Sequence, residues 1–288
     1  MPAPTAEQAA FQQAERGYEA LARRDRRSAA TAFAEALALA PDALPQRTAW
    51  QTEQARLNDR WRLAAFGFWR AGSPSPFDPA ASGRALGGSQ SALLATYRPD
   101  PLGPRPVSVV GRVITANRRA PLVPRVGTTQ ATLGLSWEPL PDTPGALVVE
   151  RWIKVGDGAR DAWAARGWIG QGSGYGPVAG ENSWTHWSVY TEAAVVGARR
   201  RDLFGAAEAH LGRGMALGDE SRLTAVASLW AMVQHDDRDV SRLEAGPGLW
   251  WTGSAGGVPI DVRVAYRRRI AGNAVGGNGL TATLGISF

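Results

Sequence analysis

Residues 280–288, LTATLGISF, alternate strictly between apolar and small polar side chains. Leu280, Ala282, Leu284, Ile286 and Phe288 occupy every second position, with threonine, glycine and serine between them. Because successive side chains of a β-strand point to opposite faces, this period of two predicts a strand with one apolar and one polar face. The strand continues to the last residue of the sequence, although chain ends usually carry polar residues.

The same period runs back through the sequence to residue 61. Turn signals such as PDPLGP, PDTPG, GDG and GGNG divide this region into twelve segments of about ten residues. That length is what a tilted strand needs to cross a bilayer. The predicted segments are 61–70, 89–98, 107–117, 128–138, 146–155, 161–170, 186–196, 202–212, 222–232, 241–251, 259–269 and 278–288.

Three features favour a membrane barrel over a soluble β-sandwich, which would place its apolar face inside. The first is that charged residues lie in mid-strand on the polar faces, as a hydrated lumen would require. The second is that the last strand has no protected end. In hydrocarbon every backbone group must be paired, so the last strand must bond to the first. Tryptophans lie near segment ends, as an interfacial girdle requires: Trp61, Trp69, Trp137, Trp187, Trp250 and Trp251. We expect an all-β transmembrane antiparallel barrel of about 12 strands, spanning 59–288. Its last strand is expected to turn Leu280, Leu284, Ile286 and Phe288 to lipid.

The region before the barrel, residues 1–58, has the period of a helix. Its block 9–42 is rich in alanine and resembles one tetratricopeptide unit. The matching positions are Gly17, Tyr18, Ala30, Phe33 and Pro41. A further helix is expected near residues 48–57. An amphipathic helical hairpin without a ligand of its own is the alternative interpretation.

Composition limits the classes of function. The chain has 288 residues, a net charge of +6, a pI near 10.4 and no cysteine, which excludes disulfides and thiol chemistry. The arginines form no basic helix face, so we expect no nucleic acid partner. We expect no cofactor, because no phosphate-binding loop is evident, and no metal, because the HDDRD turn lacks the spacing of a calcium loop. Loose calcium binding by Asp236, Asp237 and Asp239 is the alternative. No signal peptide is visible.

Several segments from residue 87 onward together resemble the C-terminal domain of the NfrA family. They are GGSQSALLATYRP, TTQATLGLSWEPLP, VVERWIKVGDGARDAWAARGWIGQGSGY, WSVYTEAAVV, FGAAEAHLGRG, VRVAYRRRIAG and LTATLGISF, in that order. The resemblance covers about two-thirds of the chain. It implies a bacterial outer-membrane barrel behind periplasmic helices, a role in exopolysaccharide export with an inner-membrane glycosyltransferase partner, and use as a phage receptor. The ending with Leu284, Ile286 and Phe288 resembles the assembly signal of such barrels. The family has many helical repeats, whereas this chain has about one.

The polar faces supply candidates for the path of a substrate through the lumen. They are Arg112, Glu150, Trp152, Arg166, Tyr190, Glu192, Glu208, His210, Glu244 and Arg263. We expect Glu150 to lie opposite Arg166 as an opposite-charge pair. Two aromatic side chains, Tyr190 and Trp152, are predicted stacking surfaces for a sugar. The alternative is a charge network that fills a narrow lumen.

Arginines in the predicted outward hairpins suggest contacts with lipopolysaccharide phosphates, for which guanidinium geometry is suited. They are Arg118, Arg119, Arg199, Arg200, Arg201, Arg238, Arg242, Arg267, Arg268 and Arg269. Ordinary solubilising turn residues are the alternative.

Other functions remain open at this point. One is a non-conducting structural barrel with a plugged lumen. Another is a lipid-acting barrel enzyme, since His210 is predicted to lie beside Glu208 and, across the hairpin, Ser188. The sequence lacks GxSxG, and we expect no enzymatic activity.

Overall fold

The computed structural model describes residues 5–71, 88–117, 123–141, 143–176, 182–197, 201–218, 221–235, 239–274 and 277–288. It begins with three α-helices, α1 (Ala6–Ala22), α2 (Arg26–Leu39) and α3 (Arg47–Asn58). Among the described residues, no helix combines the length and the apolar character needed to cross a membrane.

The helices have a core of small side chains, which the alanine-rich sequence supplies. Gly17 of α1 lies against the Phe33 ring of α2, where an added Cβ would approach the ring atoms to 3.0 Å. Glycine at this position therefore allows α1 and α2 to pack closely. The Asp25 carboxylate caps α2 by accepting a hydrogen bond from the Ser28 amide at 3.1 Å.

Twelve strands follow, within a few residues of the predicted segments. They are β1 (Trp61–Arg70), β2 (Gln90–Tyr97), β3 (Val107–Ala116), β4 (Gln130–Trp137), β5 (Gly145–Lys154), β6 (Ala162–Ser173), β7 (Ser183–Val196), β8 (Asp202–Ala216), β9 (Arg222–His235), β10 (Asp239–Ala255), β11 (Val258–Ala271) and β12 (Gly279–Ser287). Each pairs antiparallel with its neighbours in sequence, and β12 pairs with β1 to close the barrel. The predicted fold class is confirmed.

The outer wall of the barrel is apolar, because the period of two turns the large aliphatic side chains outward. Leu133 and Leu135 of β4 are more than half exposed, whereas Thr132 between Ala131 and Leu133 is buried inside. In β12, Thr281 and Thr283 are buried and Leu280 is exposed, as expected. A closed barrel with an apolar exterior and a polar interior is the transmembrane type.

The predicted aromatic girdle is present in part. Trp61, Trp137 and Trp187 are exposed on the outer wall near strand ends. Trp250 was wrongly assigned to the girdle. It is buried inside the barrel, because it lies on the inward face of β10 one residue before the outward-facing Trp251.

The helices lie at one end of the barrel, which we call the helix-side end. It contains the start of β1 and the β2–β3 connection. Arg27 of α2 forms an ion pair with Asp100 of that connection at 3.3 Å, and Leu102 packs against the helical core. The opposite end, which contains the end of β1 and the start of β2, is called the far end.

Candidate functional site

The lumen contains all the residues that were predicted to line it. Each of them lies on the inward face of its strand: Arg112, Glu150, Trp152, Arg166, Tyr190, Glu192, Glu208, His210, Glu244 and Arg263. Inward-facing residues lie two apart on a strand, so the polar face of each sequence segment identified them directly. Their packing along the barrel axis differs between the two ends.

A wide cavity opens at the helix-side end, and we call it the vestibule. Its volume is about 740 Å³, which lies in the range of roughly 300–1,000 Å³ that is usual for ligand pockets. The charged side chains that line it are Arg26, Arg56, Arg60, Arg62, Arg98, Arg112, Arg166, Asp59, Glu138 and Glu150. Arg26 and Arg56 come from the helices, so α2 and α3 form part of the vestibule wall.

The Glu150 cluster lies at the inner end of the vestibule. The Glu150 carboxylate accepts a hydrogen bond from Arg112 at 2.8 Å, and the Arg166 guanidinium lies 3.6 Å from it. Thr132 and Trp152 donate two more hydrogen bonds, at 3.2 and 3.1 Å. Four contacts to one buried carboxylate compensate much of its lost hydration.

Glu150 and Arg166 form the expected ion pair, but they are not directly opposite each other in the ladder as predicted. The β5–β6 ladder places Val148 opposite Arg166 and Ala164 opposite Glu150. The two charged residues are therefore diagonal neighbours, which long side chains can bridge. If the centre of a hairpin turn is misplaced by one residue, every cross-strand partner is misplaced by two. The turn between β5 and β6 was located only approximately, so the partner of Glu150 could be wrong by this amount.

A second cluster, around Glu244, fills the lumen toward the far end. The fully buried Glu244 carboxylate forms ion pairs with Arg70, with Arg242 at 3.5 Å and with Arg267 at 3.8 Å. The Arg267 guanidinium also lies 4.1 Å from the centre of the Trp230 ring, at cation–π distance. These arginines are all buried.

This cluster corrects two of the predicted lipopolysaccharide contacts. Arg242 and Arg267 point into the barrel and bind Glu244, so they do not face a lipid phosphate. The sequence analysis counted both residues with the hairpins because they lie at the ends of the predicted segments 241–251 and 259–269. In the structure β10 begins at Asp239 and β11 continues to Ala271, so both residues lie well within strands and face inward.

An apolar layer occupies the same level of the lumen as the Glu244 cluster on the opposite wall. Trp152 packs there against Val196, Phe204 and Met232, and it is almost fully buried. It was wrongly predicted to be a stacking surface for a sugar, because its face is covered by β7, β8 and β9. Among the described residues, buried side chains from both walls thus occupy the far half of the lumen.

Tyr190 has an aromatic partner that the sequence analysis missed. Its ring stacks on Trp168 of β6 with centroids 6.1 Å apart, and its hydroxyl donates to Glu192 at 3.0 Å. Trp168 lines the vestibule. Arg263 pairs with Asp261 at 2.9 Å and lies 4.2 Å above the ring of Trp250.

The histidine cluster in mid-barrel differs in one partner from the prediction. Ser188 lies opposite His210 in the ladder, as expected, but His210 Nδ1 is hydrogen bonded to Ser228 at 2.7 Å. His210 Nε2 lies 3.3 Å from Glu208, and Ser188 instead contacts His186 at 3.4 Å. Ser228 and His210 are both buried.

Only part of the predicted lipopolysaccharide surface can be placed. Arg201 and Arg268 are exposed toward the far end. Arg118, Arg119, Arg199, Arg200 and Arg238 lie outside the described residues. Of the HDDRD turn, Asp236 and Asp237 also lie outside them, and the described residues contain no group of three side chains that could hold a metal.

Two sets of lumen residues were missed by sequence analysis. Arg70 of β1 lies on the same face as Phe68, and this spacing was the signal that could have found it. Arg62 lies on this same face of β1 and carried the same signal. The vestibule arginines Arg26 and Arg60 carried no strand signal, because α2 and the α3–β1 connection reach the site only through the folded arrangement.

Comparisons with known proteins reach the level of fold only. No family model and no curated protein matches the sequence. An outer membrane channel from Pseudomonas putida F1 is similar, with a TM-score of 0.43, 8% identity and coverage of 79% of this chain and 94% of that one. The β domain of the Bordetella autotransporter BrkA has a TM-score of 0.40 and 12% identity, covering 80% of this chain and 99% of that one. LpxR from Salmonella typhimurium has a TM-score of 0.39 and 12% identity, covering 79% of this chain and 99% of that one.

Proposed function

We propose that this chain is an outer-membrane barrel that serves exopolysaccharide export as a docking component, with its helices in the periplasm. The observation that carries the proposal is the combination of a wide vestibule at the helix-side end with a filled lumen beyond it. A polymer segment can enter the vestibule, but the Glu244 cluster and the apolar layer around Trp152 block its passage in this conformation. The resemblance of the sequence to the NfrA family supplies the class of cargo and an inner-membrane glycosyltransferase as the partner.

The proposal is tested by polysaccharide release. Cells of the source bacterium that lack the gene should release less exopolysaccharide than wild-type cells, and expression of the intact chain should restore release. The control is a chain with Leu93→Ile on the outer wall of β2, outside the vestibule lining, which should assemble and restore release equally well. Unchanged release in the deletion strain would contradict the proposal.

A non-conducting structural barrel is the second candidate, and the filled far half of the lumen favours it. The two candidates differ in the deletion strain. A structural barrel predicts altered sensitivity of the envelope to detergent with normal polysaccharide release, whereas a docking component predicts the reverse.

The far end is proposed as the surface that contacts lipopolysaccharide and adsorbs phage. Arg201 and Arg268 are exposed there, and guanidinium groups bind phosphate in a bidentate manner. Replacing both by alanine should weaken lipopolysaccharide binding by the purified barrel. Unchanged lipopolysaccharide binding would mean that these arginines only keep the surface soluble, and it would contradict this proposal.

No catalytic role is proposed for the Ser228–His210–Glu208 cluster. Its side chains are buried, and none of the three lines the vestibule.

A further inference from the structure

The charge of the vestibule is strongly unbalanced. Seven arginines and three acidic side chains line it. Glu138 pairs with Arg98, and Glu150 is shared by two arginines. Arg56 pairs with Glu53 of its own helix. Within the described part of the chain, the other three arginines, at the rim, form no ion pair; they are Arg26, Arg60 and Arg62. The vestibule thus has an excess of positive charge that the neighbouring side chains do not neutralise.

The close approach of these cations affects the arginine on α2. Burial and the nearby charges of Arg98 and Arg62 lower the pKa of Arg26. The lowered pKa means that burial and the neighbouring cations both disfavour the charged form of Arg26, and Glu138 offsets them only in part. An anion bound between these side chains would relieve both effects.

Buried donors in the vestibule also lack acceptors. Arg112 uses Nη2 to bind Glu150, but its Nε and Nη1 have no hydrogen-bond partner among the described residues, and the same is true of Nε of Arg166 and of Arg26. An unsatisfied buried donor costs about 1–3 kcal/mol, and more when it is charged. Arg26, Arg112 and Arg166 line the cavity, so a bound anion would supply acceptor oxygens to these groups after a small movement of their side chains.

The vestibule also contains an aromatic surface beside the arginines. Trp168 lines the cavity two residues from Arg166 on the same face of β6, and it is only partly buried. An indole face packs well against the apolar face of a sugar ring, whereas a small inorganic anion makes no use of it. Guanidinium groups next to an accessible indole therefore favour an anion that is also a sugar.

We propose that the vestibule binds a segment of an acidic polysaccharide, with uronic-acid carboxylates on the arginines and a sugar ring on Trp168. The inference rests on the proposed function and narrows its cargo to a carboxylated glycan. Arg112 and Arg166 contact the carboxylate that enters deepest, and Arg26, Arg60 and Arg62 hold the following ones at the rim. Carboxylates match the planar fork of arginine, which gives paired hydrogen bonds as well as charge attraction.

The experiment measures binding to the purified full chain, folded in detergent, by titration calorimetry. The probes are an oligogalacturonate, a neutral malto-oligosaccharide of equal length and tripolyphosphate. We expect the oligogalacturonate to bind in a salt-sensitive manner and the neutral oligosaccharide not to bind. Neutral binding of equal strength, or absence of oligogalacturonate binding, would overturn the proposal.

Variants assign the binding to the vestibule. R60Q/R62Q removes two rim charges without touching the buried Glu150 cluster, and its control R16Q/R23Q removes two charges from the exposed surface of α1 and its C-terminal cap. The rim variant should bind oligogalacturonate roughly tenfold more weakly, which corresponds to about 1.4 kcal/mol, and the control should be unchanged. Equal affinity of both variants would overturn the assignment.

The Trp168→Ala variant separates a glycan from a simple anion. It should weaken oligogalacturonate binding and leave tripolyphosphate binding unchanged. Tripolyphosphate binding as tight as that of the oligogalacturonate, together with no effect of Trp168→Ala, would show that the site recognises charge alone. Binding is measured on the purified chain, without the export machinery. If oligogalacturonate does not bind but the deletion strain still releases less polysaccharide, only this inference is refuted and the proposed function stands.

Discussion

Replacing Glu244 by glutamine should strongly destabilise the barrel, because one buried carboxylate balances three buried arginines. Arg70, Arg242 and Arg267 all lie within ion-pair distance of it, and the side chains of all four residues are at most 5% exposed. Removing one partner of a buried ion pair costs about 3–5 kcal/mol, because the other charge stays buried without compensation. Glutamine keeps one oxygen acceptor and the shape of the side chain, so we expect a loss of about 3 kcal/mol.

The assay is urea unfolding of the barrel in detergent micelles, followed by tryptophan fluorescence and by heat-modifiable migration on a gel. The matched control is Glu138→Gln, which breaks an ion pair with Arg98 at the partly exposed helix-side rim. Such a pair contributes about 0–1 kcal/mol. Adding Arg242→Gln to Glu244→Gln should recover part of the loss, because it removes one uncompensated cation.

The result that would refute the reasoning is equal stability of the two single variants. It would mean that the arginines around Glu244 are hydrated or find other acceptors. The far half of the lumen would then contain solvent instead of a closed ionic cluster, and the filled lumen on which the docking role depends would be lost.

Three further predictions concern the outer wall, the helices and the last strand. Leu133→Arg should destabilise the barrel by about 2–4 kcal/mol in lipid vesicles, since Leu133 faces outward in mid-strand, whereas Leu140→Arg in the loop after β4 should have little effect. Asp25→Ala should destabilise the helices by about 0.5–2 kcal/mol in thermal unfolding followed by circular dichroism. The hydrogen bonds of the cap lower the pKa of Asp25, so its contribution is present at neutral pH and is lost as the pH falls through the folded pKa, and a wild-type helix signal without this acid sensitivity would contradict the cap. Deleting Phe288 removes two backbone hydrogen bonds to β1, of 2.8 and 3.1 Å, and should reduce the fraction that assembles in cells more than it reduces binding by the assembled fraction; normal assembly would refute this.

The strands and their faces could be predicted because the relevant information is local. In β11, Val264 and Tyr266 are exposed outward and Arg267 is buried inside, as the alternation of the sequence indicates. Turn residues between the segments limited each strand to within a few residues. A closed barrel then followed from the need of the first and last strands to pair.

The depth of each residue in the lumen could not be predicted in the same way. The alternation tells which face Trp152 or Trp250 belongs to, but not which side chains of distant strands cover it. Trp152 is covered by Phe204 and Met232, which come from strands three and four places further along the barrel. The stagger between neighbouring strands sets the position of each inward-facing residue along the barrel axis. An error of one residue in a predicted turn shifts the cross-strand partners by two residues.

The vestibule was beyond sequence reasoning for a further reason. Its rim combines α2, the residues before β1 and the end of β2, which are separated in sequence and have different periods. Arg26 and Arg98 become neighbours only because the Arg27–Asp100 contact and the packing of Leu102 hold the helices against the β2–β3 connection. The acidic glycan assigned to this site therefore depends on the folded arrangement.

The central claim, a vestibule that ends at a filled lumen, is tested most directly by the single-channel conductance of the purified wild-type chain in planar bilayers. Insertion is verified on the same preparation by heat-modifiable migration of the barrel in reconstituted vesicles. We expect no steady ion current at moderate voltage, because among the described residues the Glu244 cluster and the layer around Trp152 bury their side chains across the far half of the lumen. A steady open-pore current from the inserted wild-type barrel would contradict the account.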